Sequence, residues 1–295
     1  MQEQWWRGAE QGRIGVLEIL HQVSSLNSSE QILLDLRQSG NADSALHVTA
    51  DRGHVSCVAW LCAARANVDI ADNDRWTPLH VACHRANAEI VRLLCQHRAD
   101  SNVQNIDGFT PLMSSIEADA SNAISILLLN GVDVNPIDDS SAAPICIAIE
   151  RGHYEIVHCL CQGRAEVNYA DDTGLTPLHV AAQHSADSIM ELLLMHGSNV
   201  NALDMYRESP LHVASREGFS SVAKLLLSAG ANANAVSVEV MTPLDLALYN
   251  EKLVMISLLE TAGGMEAEDL ADRADDESNE VFARERSRSR DAERT

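Results

Sequence analysis

Histidine and cysteine are the residues of this chain best suited to chemistry. Twelve histidines and seven cysteines could act as metal ligands or nucleophiles if their spacing brought them together. The tightest group is His158, Cys159 and Cys161, but a zinc site usually shows ligand spacings such as Cys-x-x-Cys, which this group lacks. The cysteines have a simpler explanation. Cys62, Cys95 and Cys161 lie at multiples of 33 residues from Leu128, Leu194 and Leu227. Cys159 aligns in the same way with Leu192 and Leu225, Cys57 with Ile90 and Ile156, and Cys83 with Ala50 and Ala182. A cysteine that alternates with Leu, Ile and Ala is serving as a small hydrophobe. His47, His80, His179 and His212 also recur at multiples of 33, so a structural role is expected of them too. Gly8, Gly12 and Gly15 follow no strand and make no dinucleotide fingerprint. There is no phosphate-binding glycine loop, no His-Glu-x-x-His and no nucleophile elbow. Neither an enzyme nor a bound metal or cofactor is expected.

The elements behind this spacing are short and repeated. Thr176-Pro177-Leu178-His179-Val180-Ala181-Ala182 is echoed at Thr77–Ala82 and Ser209–Ala214, with weaker copies starting at Ser44, Thr110, Ala143 and Thr242. Pro78, Pro111, Pro144, Pro177, Pro210 and Pro243 are spaced by 33, and only Pro136 falls outside the series. Each unit has one internal logic, clearest over 171–201. Asp171-Asp172-Thr173-Gly174 makes a tight turn in which Gly suits a positive φ. Thr176 caps a first helix whose first turn holds Pro177, and Ala181-Ala182 keeps that helix thin. Ile189, Leu192, Leu193 and Leu194 give a second helix its apolar face. Gly197 ends that helix as a left-handed cap.

Seven copies of Thr-Pro-Leu-His-x-Ala at this period resemble the ankyrin repeat. The resemblance implies an all-α solenoid of stacked helix-turn-helix units with β-hairpin fingers. The repeat domain is expected over 37–264, after a capping partial repeat and loop at 1–36 and before a disordered charged tail at 265–295. In the family the His of the motif bonds to neighbouring backbone, a role the resemblance assigns to His47, His80, His179 and His212. The Asn recurring at Asn135, Asn168, Asn201 and Asn234 holds the hairpin there and is sometimes hydroxylated.

Departures from the pattern carry information. Residues 1–23 read as the second half of a repeat, with Val16, Leu17, Ile19 and Leu20 on an apolar face and Trp5 and Trp6 closing that end. A serine-rich excess of about eight residues follows, up to Ile32-Leu33-Leu34. Arg65, Arg98 and Arg164 replace the capping Gly, so those turns are strained or differently shaped. Pro111-Leu112-Met113-Ser114-Ser115 loses the motif, Ala143 loses the capping hydroxyl, and the middle is expected to be less regular. After Gly264 the chain carries eleven acidic and six basic residues, with Arg286-Ser287-Arg288-Ser289-Arg290 as a basic run within it. Too little apolar surface remains there to offset ordering entropy.

The net charge of −22 argues against nucleic acid and against an anionic membrane surface. No apolar run reaches the length of a membrane span. A monomer in the cytoplasm, with the nucleus also open to it, is the expectation. The resemblance implies a scaffold, adaptor or regulatory subunit that holds a protein partner, here one with a basic patch. The family's membrane–cytoskeleton tethers supply the alternative. Contact positions in the family lie just before the Thr and just after the Ala-Ala. Here the first set gives Trp76, Phe109, Leu175 and Met241, with Tyr206 nearby, an apolar stripe placed at hairpin tips. The second set gives a polar floor of His84, Arg85, Glu117, Glu150, Arg151, His184 and Arg216.

Overall fold

The computed structural model describes residues 2–25, 34–136 and 142–271. The expected serine-rich loop falls largely on 26–33, and the Arg-Ser run on 286–290; both lie outside the described residues. Two units divide the chain, Met1–Glu166 and Val167–Thr295.

In the first unit, α1 (Gln2–Glu10) and α2 (Ile14–Ser25) precede four helix pairs. These are α3 (Ala45–Asp51) with α4 (Val55–Ala63), α5 (Pro78–His84) with α6 (Ala88–Gln96), α7 (Pro111–Glu117) with α8 (Ser121–Leu129), and α9 (Pro144–Glu150) with α10 (Tyr154–Gln162). The second unit holds α11 (Pro177–Gln183) with α12 (Asp187–Met195), α13 (Pro210–Glu217) with α14 (Ser220–Ser228), and α15 (Pro243–Tyr249) with α16 (Leu253–Thr261). Within each unit, first helices pack on first helices and second helices on second helices. Leu79, Ala82 and Cys83 from α5 and Ile90, Val91 and Leu94 from α6 are fully buried. Each such Leu or Ile contributes about 2 kcal/mol relative to exposure.

Fingers project between the pairs. Among the described residues they contain no regular strand, only the isolated bridge between Arg37 and Ser44. Backbone hydrogen bonds close them instead, with Asp72 N–H donating to Trp76 O (2.9 Å) and Asp204 N–H to Glu208 O (3.0 Å). Neighbouring fingers are joined as well. Ile106 N–H donates to Asp74 O (3.0 Å) in the first unit, and Val238 N–H to Tyr206 O (2.8 Å) in the second.

Left-handed backbone recurs at three places in each repeat: the finger turn, the bend between the two helices, and the exit of the second helix. Among the described residues, all eleven non-glycine residues with positive φ fall on these places. Arg65, Arg98 and Arg164, with φ of 66°, 64° and 67°, thus keep the shape that Gly gives elsewhere and accept its strain. The severest case is Val240, a β-branched residue at φ 58° in a finger turn where Gly108 and Gly174 serve other repeats. Relieving its clash is worth roughly 1–2 kcal/mol, of which the extra freedom of unfolded Gly takes back up to about 1. Val240→Gly is therefore expected to stabilise the chain by up to about 1 kcal/mol in urea titration, and a loss of stability would refute the strain.

Three expectations change in the structure. The N-terminal cap is a full helix pair, since α1 and α2 both form; Trp5 and Leu17 are fully buried, whereas Ile19 is 62% exposed and lies off the apolar face. The middle helices are as regular as the others, because Ser114 and Ser115 turn their hydroxyls onto the carbonyls of Thr110 (3.1 Å) and Pro111 (3.0 Å). α9 lacks the capping hydroxyl, since Ala143 makes no side-chain cap bond, and the finger before it falls partly on 137–141, outside the described residues. The last repeat also holds residues beyond Gly264, with Met265 N–H on Asn234 Oδ1 (2.8 Å) and Ala267 N–H on Asp245 Oδ2 (3.0 Å).

None of the seven cysteines forms a disulfide, and Cys57, Cys62, Cys83, Cys146 and Cys161 are buried. Burial pushes the thiol of Cys83 up to about 12 and those of Cys62 and Cys161 to about 11. They are packing groups held far from the thiolate form.

Candidate functional site

The histidines of the motif show how the fingers are held. Ser44 N–H donates to His47 Nδ1 (3.1 Å), so the ring proton sits on Nε2, which donates to Trp76 O (2.9 Å). His80 repeats this from Thr77 N–H (3.2 Å) to Phe109 O (3.0 Å). In the second unit His179 reaches Glu208 O (3.1 Å) and His212 reaches Met241 O (3.2 Å). Each imidazole thus ties a helix start to the next finger. Burial lowers the pKa of all four, that of His80 to about 4. Met113 and Cys146 take this position in α7 and α9, and in α15 Asp245 Oδ2 accepts from Thr242 N–H (2.8 Å).

A second ladder runs along the opposite ends of the units. Asn135 Oδ1 accepts from Glu166 N–H (2.8 Å), Asn168 Oδ1 from Asn199 N–H (2.7 Å) and Asn201 Oδ1 from Asn232 N–H (2.8 Å). It extends to Asn102, which stands in the same register, and to Asp69 and Asp35, the last accepting from Asn67 N–H (2.8 Å). Asp69 Oδ1 accepts from Asp100 N–H (2.8 Å) and Asn102 Oδ1 from Asp133 N–H (2.9 Å). Only a side-chain acceptor is needed, so Asp serves as well as Asn.

The residues before the Thr positions do not sit at the finger tips. Trp76, Phe109, Leu175 and Met241 are half-buried at the foot of each finger: their carbonyls close the finger, and those of Trp76, Phe109 and Met241 also receive the histidine above. The exposed tips carry other apolar side chains: Ile106, Met205, Tyr206, Val238 and Val240 are 51–67% exposed. Of these the sequence reading had singled out only Tyr206. Met205 and Val238 lie at multiples of 33 from Ile106, which is the signal that could have found them.

Two open clefts lie between fingers and first helices. One, of about 380 Å³ in the first unit, is lined by Trp76, His84 and Arg85 together with Asp43, Asp72 and Asp74. The other, of about 360 Å³ in the second unit, is lined by Leu175, Tyr206 and Arg216 with Asp204, Glu208 and Glu239. The remaining expected residues lie outside both. Phe109 and Met241 stand at their finger feet, and Glu150 and His184 are exposed at the exits of α9 and α11. Glu117 and Arg151 form an ion pair between adjacent repeats at 2.7 Å, as do Asp51 and Arg85 at 2.7 Å. Among the described residues no group of three or more His, Cys, Asp or Glu is arranged for a metal ion.

Comparison with known proteins agrees with this architecture. A model of ankyrin repeats in three copies matches residues 8–105, 46–138 and 112–204, and a single ankyrin-repeat model matches 206–238. The ankyrin repeat domain of human ASB11 is similar in structure, with a TM-score of 0.65 and 26% identity over 74% of this chain and 98% of that one. So is that of Bcl-3, described as a unique member of the IkappaB protein family, with a TM-score of 0.68 and 24% identity over 76% of this chain and 97% of the other. No curated protein is a significant sequence match. With the motif, the helix pairs, the histidine ties and the matched models all in agreement over most of its length, the chain belongs to the ankyrin-repeat family.

Proposed function

We propose that this chain is a non-catalytic scaffold or regulatory subunit that grips a protein partner with its finger feet and the exits of its first helices. The observation that carries the reading is the rigidity of the feet. Trp76 and Phe109 each have a backbone carbonyl fixed twice, by a finger amide and by a histidine. A partner that meets side chains already held in place loses less of its binding energy to ordering them. The excess of acidic residues favours a partner with a basic patch and faster encounter at low salt. Buried thiols that form no disulfide fit a reducing compartment, and we read the protein as a monomer of the cytoplasm or nucleus.

Affinity capture with the wild type and with a Trp76→Ala, Phe109→Ala double mutant tests this. Both side chains are half-buried, so the double mutant is expected to melt within about 4 °C of the wild type, as a change near 1 kcal/mol would give. The expected result is a protein retained by the wild type and lost by the folded mutant. Equal retention by both would remove the assignment from this surface.

A further inference from the structure

The two clefts are the same structure five repeats apart. Adding 165 to the residue numbers of the first cleft gives the lining of the second: Asp43 becomes Glu208, Val48 becomes Val213, Asp51 becomes Arg216, and Asp74 becomes Glu239. Two charges reverse, Asp51 to Arg216 and Arg52 to Glu217, and the first changes what stands beside the Asp43 position. In the second cleft the Arg216 guanidinium pairs with Glu208, whose side chain is only 13% exposed. In the first cleft a carboxylate stands at that place, so Asp43 has lost the guanidinium that its counterpart keeps.

Among the described residues no cation replaces it, and the neutral amide of Asn41 donates to Asp43 Oδ1 at 3.4 Å. Arg85 and Arg52 both turn to Asp51, at 2.7 and 3.7 Å. Among the described residues no salt bridge reaches Asp43, Asp72, Asp74 or Glu10. Asp72 is almost buried and cannot swing away, since it accepts from the backbone of Asp74 (2.9 Å) and Trp76 (2.8 Å) and from Asn41 Nδ2 (3.0 Å). Burial, together with Asp72 and Asp51, raises the pKa of Asp43 against the pull of His47, as expected of a carboxylate left without its cation. Trp76 lines the same cleft, its ring held edge-on to that of His84 at 5.7 Å.

We propose that the first cleft receives an arginine side chain from the protein partner, its guanidinium taking the place that Arg216 fills in the second cleft. This rests on the reading of the finger feet as a partner surface and names the chemistry of its anchor. Fixed carboxylates beside an indole suit a planar guanidinium, which bonds in a fork and stacks on an aromatic face. An ammonium gains the charge attraction but not the planar fit. The carboxylates are not grouped closely enough for a metal ion.

The test uses the full chain labelled at tryptophan and follows the Trp76 indole resonance, assigned with Trp76→Phe. The probes are the blocked amides of arginine, lysine and citrulline. The arginine amide is expected to shift the Trp76 signal saturably, with a dissociation constant on the order of 1 mM, and the neutral citrulline amide at least about tenfold more weakly. Asp51→Arg, which copies the second cleft and fills the site from within, is expected to abolish the shift while leaving the other tryptophan signals in place. Asp43→Asn gives a second variant with little change of shape and should weaken binding to a similar degree. No shift with arginine, an equal response to lysine or citrulline, or a response that survives Asp51→Arg would each overturn the proposal. A partner retained by the wild type and equally by Asp51→Arg would leave the partner surface standing while removing this anchor. Arginine binding with no protein captured would do the reverse.

Discussion

Acidification from neutrality toward pH 4 is expected to remove several kcal/mol of stability, beginning near pH 6.5, well before most carboxylates titrate. His47, His80, His179 and His212 have folded pKa values below the ordinary 6.5 because they are buried. The unfolded chain therefore takes up protons that the folded chain refuses. Stability is fully present above about 6.5 and is lost as pH falls toward the folded values. For His80, whose pKa is about 4, the shift alone corresponds to ~3 kcal/mol. The hydrogen bonds give the same sign, because a proton on Nδ1 would face the amide N–H that now donates to it. One effect opposes this. Protonating carboxylates in a chain of charge −22 relieves repulsion, chiefly below about pH 4.5. Urea titrations at several pH values between 7 and 5 isolate the histidines, and a flat profile over that window would rule the mechanism out. In His80→Gln the slope should become shallower, although the variant is less stable at neutral pH.

Replacing Trp5 by alanine is expected to cost ~3–5 kcal/mol, the range for removing a large buried aromatic side chain. Trp5 is fully buried in α1 and its ring meets Trp60 of α4 edge-on at 6.3 Å. Trp6, next in sequence, is only half-buried and should tolerate the same change at about 1 kcal/mol or less. The pair makes an internal control, since a general effect on the N-terminus would hit both alike. In a repeat stack an end unit can open by itself, so the loss can also take the form of a cap that frays before the rest. Hydrogen exchange distinguishes the forms: fraying deprotects the amides of α1 and α2 first, whereas global destabilisation lowers protection throughout the first unit.

Much of the fold was legible because a period of 33 puts equivalent residues in equivalent environments. The Pro series marked the starts of the first helices, and the Cys–Leu alternation showed that the thiols pack rather than react. What period alone could not convey was direction within the finger. The residue before the capping Thr or Ser is close in sequence to the finger tip, yet its carbonyl closes the finger and in four repeats also receives a histidine, so it lies at the foot and a different register is exposed. At the N-terminus the excess residues that follow break the count that revealed the other repeats, so only the end of α1 and the apolar positions of α2 were legible there. The Arg216–Glu208 pair escaped notice for another reason. Its members are eight residues apart, across a cap and a helix, at a spacing that matches neither helix nor strand. At that register the repeats carry Asp51, His84, Glu117, Glu150, Gln183, Arg216 and Tyr249, so Arg216 is the exception, and only comparison of the two clefts shows what it pairs with.

The thiols described above have an uneven distribution with a practical result. Every cysteine lies between Cys57 and Cys161, and every tryptophan between Trp5 and Trp76, so all of them belong to the first unit. Tryptophan emission and the rate of thiol alkylation therefore report on opening of that unit and are blind to events from Val167 onward. Circular dichroism sees both units. A difference between the optical melting curve and the emission curve would consequently measure the second unit by subtraction, without any label being introduced.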